Sequence, residues 1–263
     1  MELARPNRHK LFRLAGVGVE QAQPDTMHTK HAGVDAYFYA SVIKYIVHYI
    51  MVGTPESNAK RLWKLISKEF SKSTPTSQFT GLTLGMYDRG DVQFPLMKGR
   101  AAQIKHLGPT LFVIWKTHFA DRLNQAHRFI SQAFEATLKM DTIIDATADE
   151  FVMNPLDAGS FVAACREYLL KLIALRAYFK LNHPTWLLFH ITIKCHYLIH
   201  LAMNAKDIHP TLGWCYNGED FVFRIKKIVS ASHRGTPPRL VPSKAIGRYI
   251  HGMGLVLSSK RYR

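Results

Sequence analysis

The sequence lacks several features that would place a protein in a class at once. Its 263 residues contain only three cysteines, Cys165, Cys195 and Cys215. An odd, sparse set with no repeated spacing does not make a disulfide framework, and a reducing compartment is the default. The N-terminus carries charge but no long apolar core, so it does not read as a secretory signal peptide. We therefore expect a nuclear or cytoplasmic protein, not a secreted one.

Long apolar runs and common catalytic motifs are also missing. The most apolar stretch, YFYASVIKYIVHYIMVG, contains Lys44 and His48 and is short for a bilayer span. A buried helix is favoured there, and we expect no membrane partner. The stretch GVGVEQ lacks the third glycine and the lysine of phosphate-binding loops, and neither Gly-x-Ser-x-Gly nor Cys-x-x-Cys occurs.

Acidic residues are absent from the C-terminal stretch Phe221–Arg263, which holds ten basic residues. The whole chain has 35 Lys and Arg against 19 Asp and Glu, a net charge of +16. Such an excess favours polyanionic partners. A solvated basic face is the alternative, but the asymmetry favours phosphate contacts. The residues predicted to bind nucleic acid are Arg224, Lys226, Lys227, Arg234, Arg239, Lys244 and Arg248.

Apolar residues recur at helical spacing along most of the chain, and at 47% of the composition they are enough for a substantial core. The cleanest example is TPESNAKRLWKLISKEF, where Thr54 is a predicted cap and Pro55 takes the first helical position. A break is expected near Gly108-Pro109. PTWLLFHITIKCHYLIHLAMNA reads as one buried helix. The sequence thus predicts a mainly α protein, a helical bundle-like domain.

Two N-terminal segments depart from this helical pattern. KLFRLAGVGVE, residues 10–20, reads as a strand or hairpin arm, and QAQPDTMHTKHAGVD reads as a polar connection. We divide the chain into residues 1–34 with the strand, residues 35–210 as a helical core, and residues 211–263 as a basic helical region. These three segments are expected to form one compact unit.

Three groups of residues are candidates for chemistry. Asp25 follows a predicted strand, and His28 lies three residues after it. A turn-forming role for Asp25 is the simpler interpretation. His196 and His200 share a helix face, where hydrogen-bonded histidines are favoured over a zinc site. Glu219, in NGEDF, stands near a helix start, where an acid suits the helix dipole. Each signal is weak by itself.

Taken together, these stretches resemble the C-terminal part of a plant CACTA (En/Spm)-type transposase. PDTMHTKHAGV resembles that family's Asp-x-Met-His segment, and LFHITIKCHYLIHLA resembles its paired-histidine segment. PTLGWCYNGEDFVFRIKKIVSASHRGTPP resembles the segment that carries its last acidic residue, and FPLMKGRAAQIKHLGP stands where the helical insertion opens. The order and rough spacing agree over most of residues 20–250.

The resemblance implies a partial RNase H-like fold with a helical insertion, and a nuclease in which three carboxylates hold two Mg²⁺ or Mn²⁺ ions. Asp25 would be the second carboxylate and metal ligand, and Glu219 the third. His28, His196 and His200 would lie beside the site, and DNA would be the partner.

The resemblance also has gaps. The first carboxylate would precede Asp25, where Glu2 and Glu20 are the only acids. The arginine that follows the family's glutamate is Asp220 here. We therefore expect a fragment or remnant of a DNA nuclease or strand transferase that binds nucleic acid, without a complete carboxylate triad. The alternative is a non-catalytic helical binding or scaffold protein.

Overall fold

The protein is built from helices. A computed structural model describes the backbone of residues 24–260, and their side chains except at residues 216–224 and 253–260. No strand occurs within the described backbone, and the prediction of a mainly α protein is confirmed. The strand predicted at residues 10–20 lies outside the described residues. None of the helices in residues 24–260 is long and apolar enough to cross a bilayer.

Backbone contacts divide the chain into two compact units, Met1–Trp214 and Cys215–Arg263. The helices of the first unit are α1 (Ala36–Tyr45), α2 (Pro55–Ser73), α3 (Ala101–Ile114), α4 (Gln125–Ala146), α5 (Pro155–Asn182) and α6 (Ile193–Asn204). The second unit contains α7 (Tyr216–His233) and α8 (Val241–Lys260), which pack against each other and are joined through a short 3₁₀ turn.

A long central helix, residues 27–50, organises the first unit. Wide π-helical turns at Met27–Asp35 and Ile46–Ile50 flank α1 without a break. Helices α3 and α6 pack on the first π-helical segment, and α2 packs on the second. The ring of Phe38 in α1 lies 4.8 Å from that of Phe134 in α4 and 5.6 Å from that of Tyr168 in α5. The aromatic core therefore forms around this helix.

Polar caps set where several helices begin. Thr54 Oγ1 accepts a hydrogen bond from the Ser57 backbone N–H at 3.3 Å, and Pro55 occupies the first turn of α2, as predicted. Asn124 and Asn154 cap α4 and α5 in the same way. These two helices then pack along each other as the most extensive helix pair of the protein.

The break predicted near Gly108-Pro109 is wrong. Helix α3 continues through Pro109 to Ile114. A proline inside a helix costs about 3 kcal/mol, because it removes one backbone hydrogen bond and clashes with the preceding turn. Leu107 and Leu111 are buried on either side of it. Tertiary packing of this apolar face offsets the local cost.

Two further expectations on local structure are also wrong. Residues 27–35 form π-helix, although their polar sequence predicts a connection. The helix predicted from PTWLLFH onward begins only at Ile193. Before it, Phe189 takes a positive φ of 56° and its N–H donates to Ser41 Oγ at 2.9 Å. Burial of Leu188 and Phe189 in the core favours this irregular path over a helix.

Candidate functional site

Asp25 caps the central helix and contacts His28. Its Oδ1 accepts the Met27 N–H at 3.1 Å, and its Oδ2 accepts the His28 N–H at 3.2 Å. The ring Nδ1 of His28 also contacts Asp25 Oδ2. The His28 side chain is 57% exposed, whereas that of Asp25 is 17% exposed. Asp25 therefore orients the imidazole of His28. The Nε2 atom of that ring remains available to solvent or a ligand.

This carboxylate–imidazole pair opens onto a pocket of about 510 Å³. The pocket lies between the start of the central helix and the first turn of α6. Its lining residues are Pro24, Asp25, His28, Thr29, Ile193, Lys194 and Tyr197. Burial lowers the pKa of Lys194, and the nearby Asp25 carboxylate opposes that shift. The pocket thus brings the carboxyl group of Asp25, at the start of the central helix, close to the amine of Lys194, from α6.

The described side chains of this pocket do not fit a two-metal Mg²⁺ site. They supply one carboxylate, Asp25, and one imidazole, His28. Magnesium takes oxygen ligands in near-octahedral geometry, and two-ion nucleases hold their ions with several carboxylates.

His196 and His200 contact each other on α6. Their Nε2 atoms are 3.0 Å apart, and both side chains are exposed. His196 lines a different, apolar pocket between α5 and α6, together with Leu169, Ile173, Ile191, Cys195 and Ile199. Helix α6 thus joins the two predicted motifs by contributing Lys194 and Tyr197 to the pocket of Asp25 and the histidine pair to the adjacent surface.

Glu219 lies in α7 of the second unit, and its side chain is outside the described residues. The same holds for the side chain of Arg224. The proposed pairing of Glu219 with Asp25 therefore stays a prediction.

The other basic residues predicted to bind nucleic acid are all described. Five of them have exposed side chains: Lys226, Lys227, Arg234, Arg239 and Arg248. Lys244 is half-buried, and its Nζ donates to Thr236 Oγ1 at 2.6 Å. Positive charge is thus displayed on both α7 and α8.

A buried ionic network, which sequence reasoning missed, ties the central helix to α4. Lys30 Nζ donates to Asp35 Oδ2 at 2.8 Å and lies 2.9 Å from Asp141 Oδ1. His31 Nε2 is also 2.9 Å from Asp141 Oδ1. Asp35 Oδ1 accepts further bonds from the hydroxyl groups of Thr137 and Tyr168. Nearly every polar group is thus partnered, as buried charges require.

The network shifts the pKa values of its members. Burial alone would lower the pKa of Lys30, but Asp141 and Asp35 outweigh it and raise the pKa. Burial alone would raise the pKa of Asp141, but Lys30 and His31 outweigh it and hold the pKa below its ordinary value. Burial and the charge of Asp35 raise the pKa of Tyr168. The charged forms of Lys30 and Asp141 are therefore favoured in the folded protein.

Oxygen and nitrogen atoms of His31, Asp35 and Asp141 lie within 4.8 Å of one another, a spacing that suits a metal ion. The Lys30 ammonium already bridges the two carboxylates. It supplies the positive charge that a cation would bring, so we interpret the cluster as an internal ion-pair network. The sequence could have indicated part of this network, because Lys30, His31 and Asp35 are close together in KHAGVD. Asp141 is remote in sequence and could not be assigned to it.

Comparisons of the chain with protein-family models, with curated proteins and with solved structures found no match.

Proposed function

We propose that the protein binds nucleic acid, with DNA as the partner, and that it derives from a CACTA-type transposase. The observation that carries the binding proposal is the charge of the second unit. Residues 215–263 contain ten basic and two acidic residues, which is +8 of the chain's net +16. Every charged side chain described between residues 225 and 252 is basic or histidine, and most are exposed.

A compact helical hairpin with this charge has the features of a phosphate-binding surface. Lys226 and Lys227 are exposed on α7, and Arg248 is exposed on α8. Contacts from Lys and Arg to phosphate release counterions and supply sequence-independent affinity. The half-buried ring of Tyr249, beside Arg248, adds an aromatic surface to the same helix.

The transposase origin rests on the ordered sequence motifs. Under this origin, Asp25 and Glu219 are the carboxylates that held Mg²⁺ or Mn²⁺ in the ancestral enzyme. His28 lay beside them. Because the described pocket of Asp25 offers one carboxylate, we expect DNA binding by this chain without metal-dependent cleavage. Incubating the purified chain with supercoiled plasmid and Mn²⁺ tests that expectation, and cleavage that Asp25→Asn abolishes would contradict it.

A protein-binding scaffold is a second candidate function, favoured by exposed apolar side chains on α5 and α6. Leu170 is 60% exposed, Ile173 is 54% exposed and Ile193 is 62% exposed. Exposed apolar patches of this kind often mark contacts between proteins. If the protein is such a scaffold, it should bind no DNA, even at low ionic strength.

Fluorescence anisotropy with a labelled DNA duplex over a series of salt concentrations tests the proposed function. Changing Lys226, Lys227, Arg234 and Arg239 to Gln removes four exposed charges of the second unit. We expect weaker binding and a logarithmic salt slope that is shallower by about 0.9 for each phosphate that the variant no longer neutralises.

A matched variant controls for net charge. It changes Lys60, Lys64, Lys68 and Arg122, which are exposed in the first unit, to Gln. A smaller effect of this control supports a phosphate-binding surface on the second unit. Equal effects of the two variants would show that charge alone governs binding, and the proposed surface would be wrong.

A further inference from the structure

We propose that His196 and His200 form a binding site for a divalent transition-metal ion of the copper or nickel type. The site lies on α6 of the first unit and is independent of the proposed binding of DNA by the second. It is built from two imidazoles one helical turn apart, whose Nε2 atoms are 3.0 Å from each other.

The two rings are arranged so that both nitrogens can act on one ion. Their centroids are 4.4 Å apart and their planes meet at 79°. Among the described residues, the rings interact with each other and with Tyr197, next to His196, so no carboxylate or carbonyl group competes for them. One Nε2–H donates to the other Nε2 in the free protein. When the donor ring takes its other neutral tautomer, with the proton on Nδ1, both Nε2 lone pairs are available to one ion, which is the requirement for chelation.

The separation of the nitrogens selects the kind of ion. With metal–nitrogen distances of about 2.0–2.1 Å, nitrogens 3.0 Å apart subtend about 91–97° at the metal. This angle suits neighbouring positions of a square-planar or octahedral ion. Cu²⁺ and Ni²⁺ adopt such geometries with imidazole ligands, and Cu²⁺ binds most tightly of the divalent first-row ions. Zn²⁺ prefers a tetrahedral angle and would have to spread the rings.

The surroundings leave the other coordination positions open. His196 also lines the apolar pocket of about 200 Å³, against Leu169, Ile173 and Ile191. Cys195 lines the same pocket, but it is buried and next to His196 in the chain, so it does not share the helix face of His196 and His200. A bound ion would therefore hold water, or a ligand with a nitrogen or oxygen donor and an apolar body that fits the pocket.

Calorimetric titration of the tag-free chain with Cu²⁺, Ni²⁺ and Zn²⁺ tests the proposal. All samples carry Cys215→Ser, because an exposed thiol such as that of Cys215 offers a competing metal ligand. We expect affinity in the order Cu²⁺, Ni²⁺, Zn²⁺. Each of His196→Ala and His200→Ala should weaken Cu²⁺ and Ni²⁺ binding by about tenfold or more, because the remaining imidazole loses the effective concentration of its neighbour.

Two exposed histidines without a histidine one turn away, His118 and His251, provide matched controls. His118→Ala and His251→Ala should leave the affinity unchanged. Paramagnetic Ni²⁺ should broaden amide signals around α6 first. Equal affinity in all four variants, broadening centred elsewhere, or tighter binding of Zn²⁺ than of Ni²⁺ would overturn the proposal. Circular dichroism of each variant confirms that the helical content is retained.

Discussion

The ammonium group of Lys30 lies 2.9 Å from Oδ1 of Asp141, and both side chains are almost fully buried. The same ammonium is 2.8 Å from Asp35 Oδ2. Lys30 and Asp35 belong to the central helix, whereas Asp141 belongs to α4. This relationship joins two elements that are more than a hundred residues apart in the chain. It also makes the core sensitive to the loss of any one charge.

Replacing Lys30 by Met should destabilise the fold strongly. The substitution keeps an unbranched side chain, but it removes the ammonium group that Asp35 and Asp141 share and leaves Asp141 with His31. Removing one partner of a buried pair costs about 3–5 kcal/mol. Urea unfolding followed by circular dichroism measures the change. Lys105→Met is the control, because Lys105 pairs with Asp145 near the surface and such pairs contribute about 0–1 kcal/mol. Similar losses in both variants would contradict the assigned role of the network.

Stability should fall in acid because of Asp141. Its folded-state pKa is held below the ordinary value, chiefly because Lys30 and His31 outweigh the effect of burial. Its contribution is therefore complete above the unfolded-state pKa of about 3.9 and is lost as the pH falls through the folded-state pKa. Urea unfolding between neutral and acid pH should show this loss, and it should be smaller in Asp141→Asn.

Asp145→Asn serves as the control for the acid prediction, because its carboxylate is more than half exposed. This variant should keep the pH dependence of the original chain. A carboxyl titration of Asp141 by NMR gives a second readout that does not require the variant to fold. A midpoint at or above the ordinary value for aspartate would contradict the prediction.

Gly108→Ala should be destabilising, although alanine is the better helix former. A Cβ at Gly108 would clash with the hydroxyl of Tyr39 and lie 2.9 Å from its Cζ, and Tyr39 is fully buried. Overpacking of this kind costs about 1–3 kcal/mol. Gly159→Ala in α5 meets no atom within 4 Å and should instead stabilise by up to about 1 kcal/mol. Thermal unfolding compares the two, and a stabilising Gly108→Ala would show that Tyr39 moves freely.

Asp25→Ala should weaken the start of the central helix by about 0.5–2 kcal/mol, because the two backbone N–H groups that its carboxylate accepts lose their partner. Asp25→Asn should lose much less, since its side-chain oxygen can still cap. DNA affinity should be the same in both variants if the second unit supplies the phosphate contacts. A clear loss of DNA binding in Asp25→Asn would show instead that this pocket contacts DNA.

The sequence was a good guide wherever local chemistry decides the structure. The cap at Thr54 and the proline at the first helical position follow from backbone hydrogen bonding at a helix end. The start of α2 could therefore be predicted closely. The mainly α class follows from apolar spacing. The exposure of Lys226 and Arg239 was predictable as well, because a charged side chain is seldom fully buried unless it is paired, as Lys30 is.

Prediction failed where distant residues decide. Residues 27–35 look like a polar loop until Asp141 of α4 and the hydroxyl of Tyr168 in α5 are placed against them. Pro109 reads as a helix breaker until the apolar face around it is buried. The helices that supply these contacts lie outside the local window in which periodicity and propensity act.

By itself, the sequence therefore determined the helical class, several helix starts and the basic character of the C-terminal region. Only the tertiary structure decided that Lys30 is also the counter-ion of Asp141 in α4, and that Asp35 accepts hydrogen bonds from Thr137 and Tyr168. Spacing along a chain restricts which residues share a helix face. Distances between side chains of different helices, on which this ion pairing depends, arise only when the helices pack.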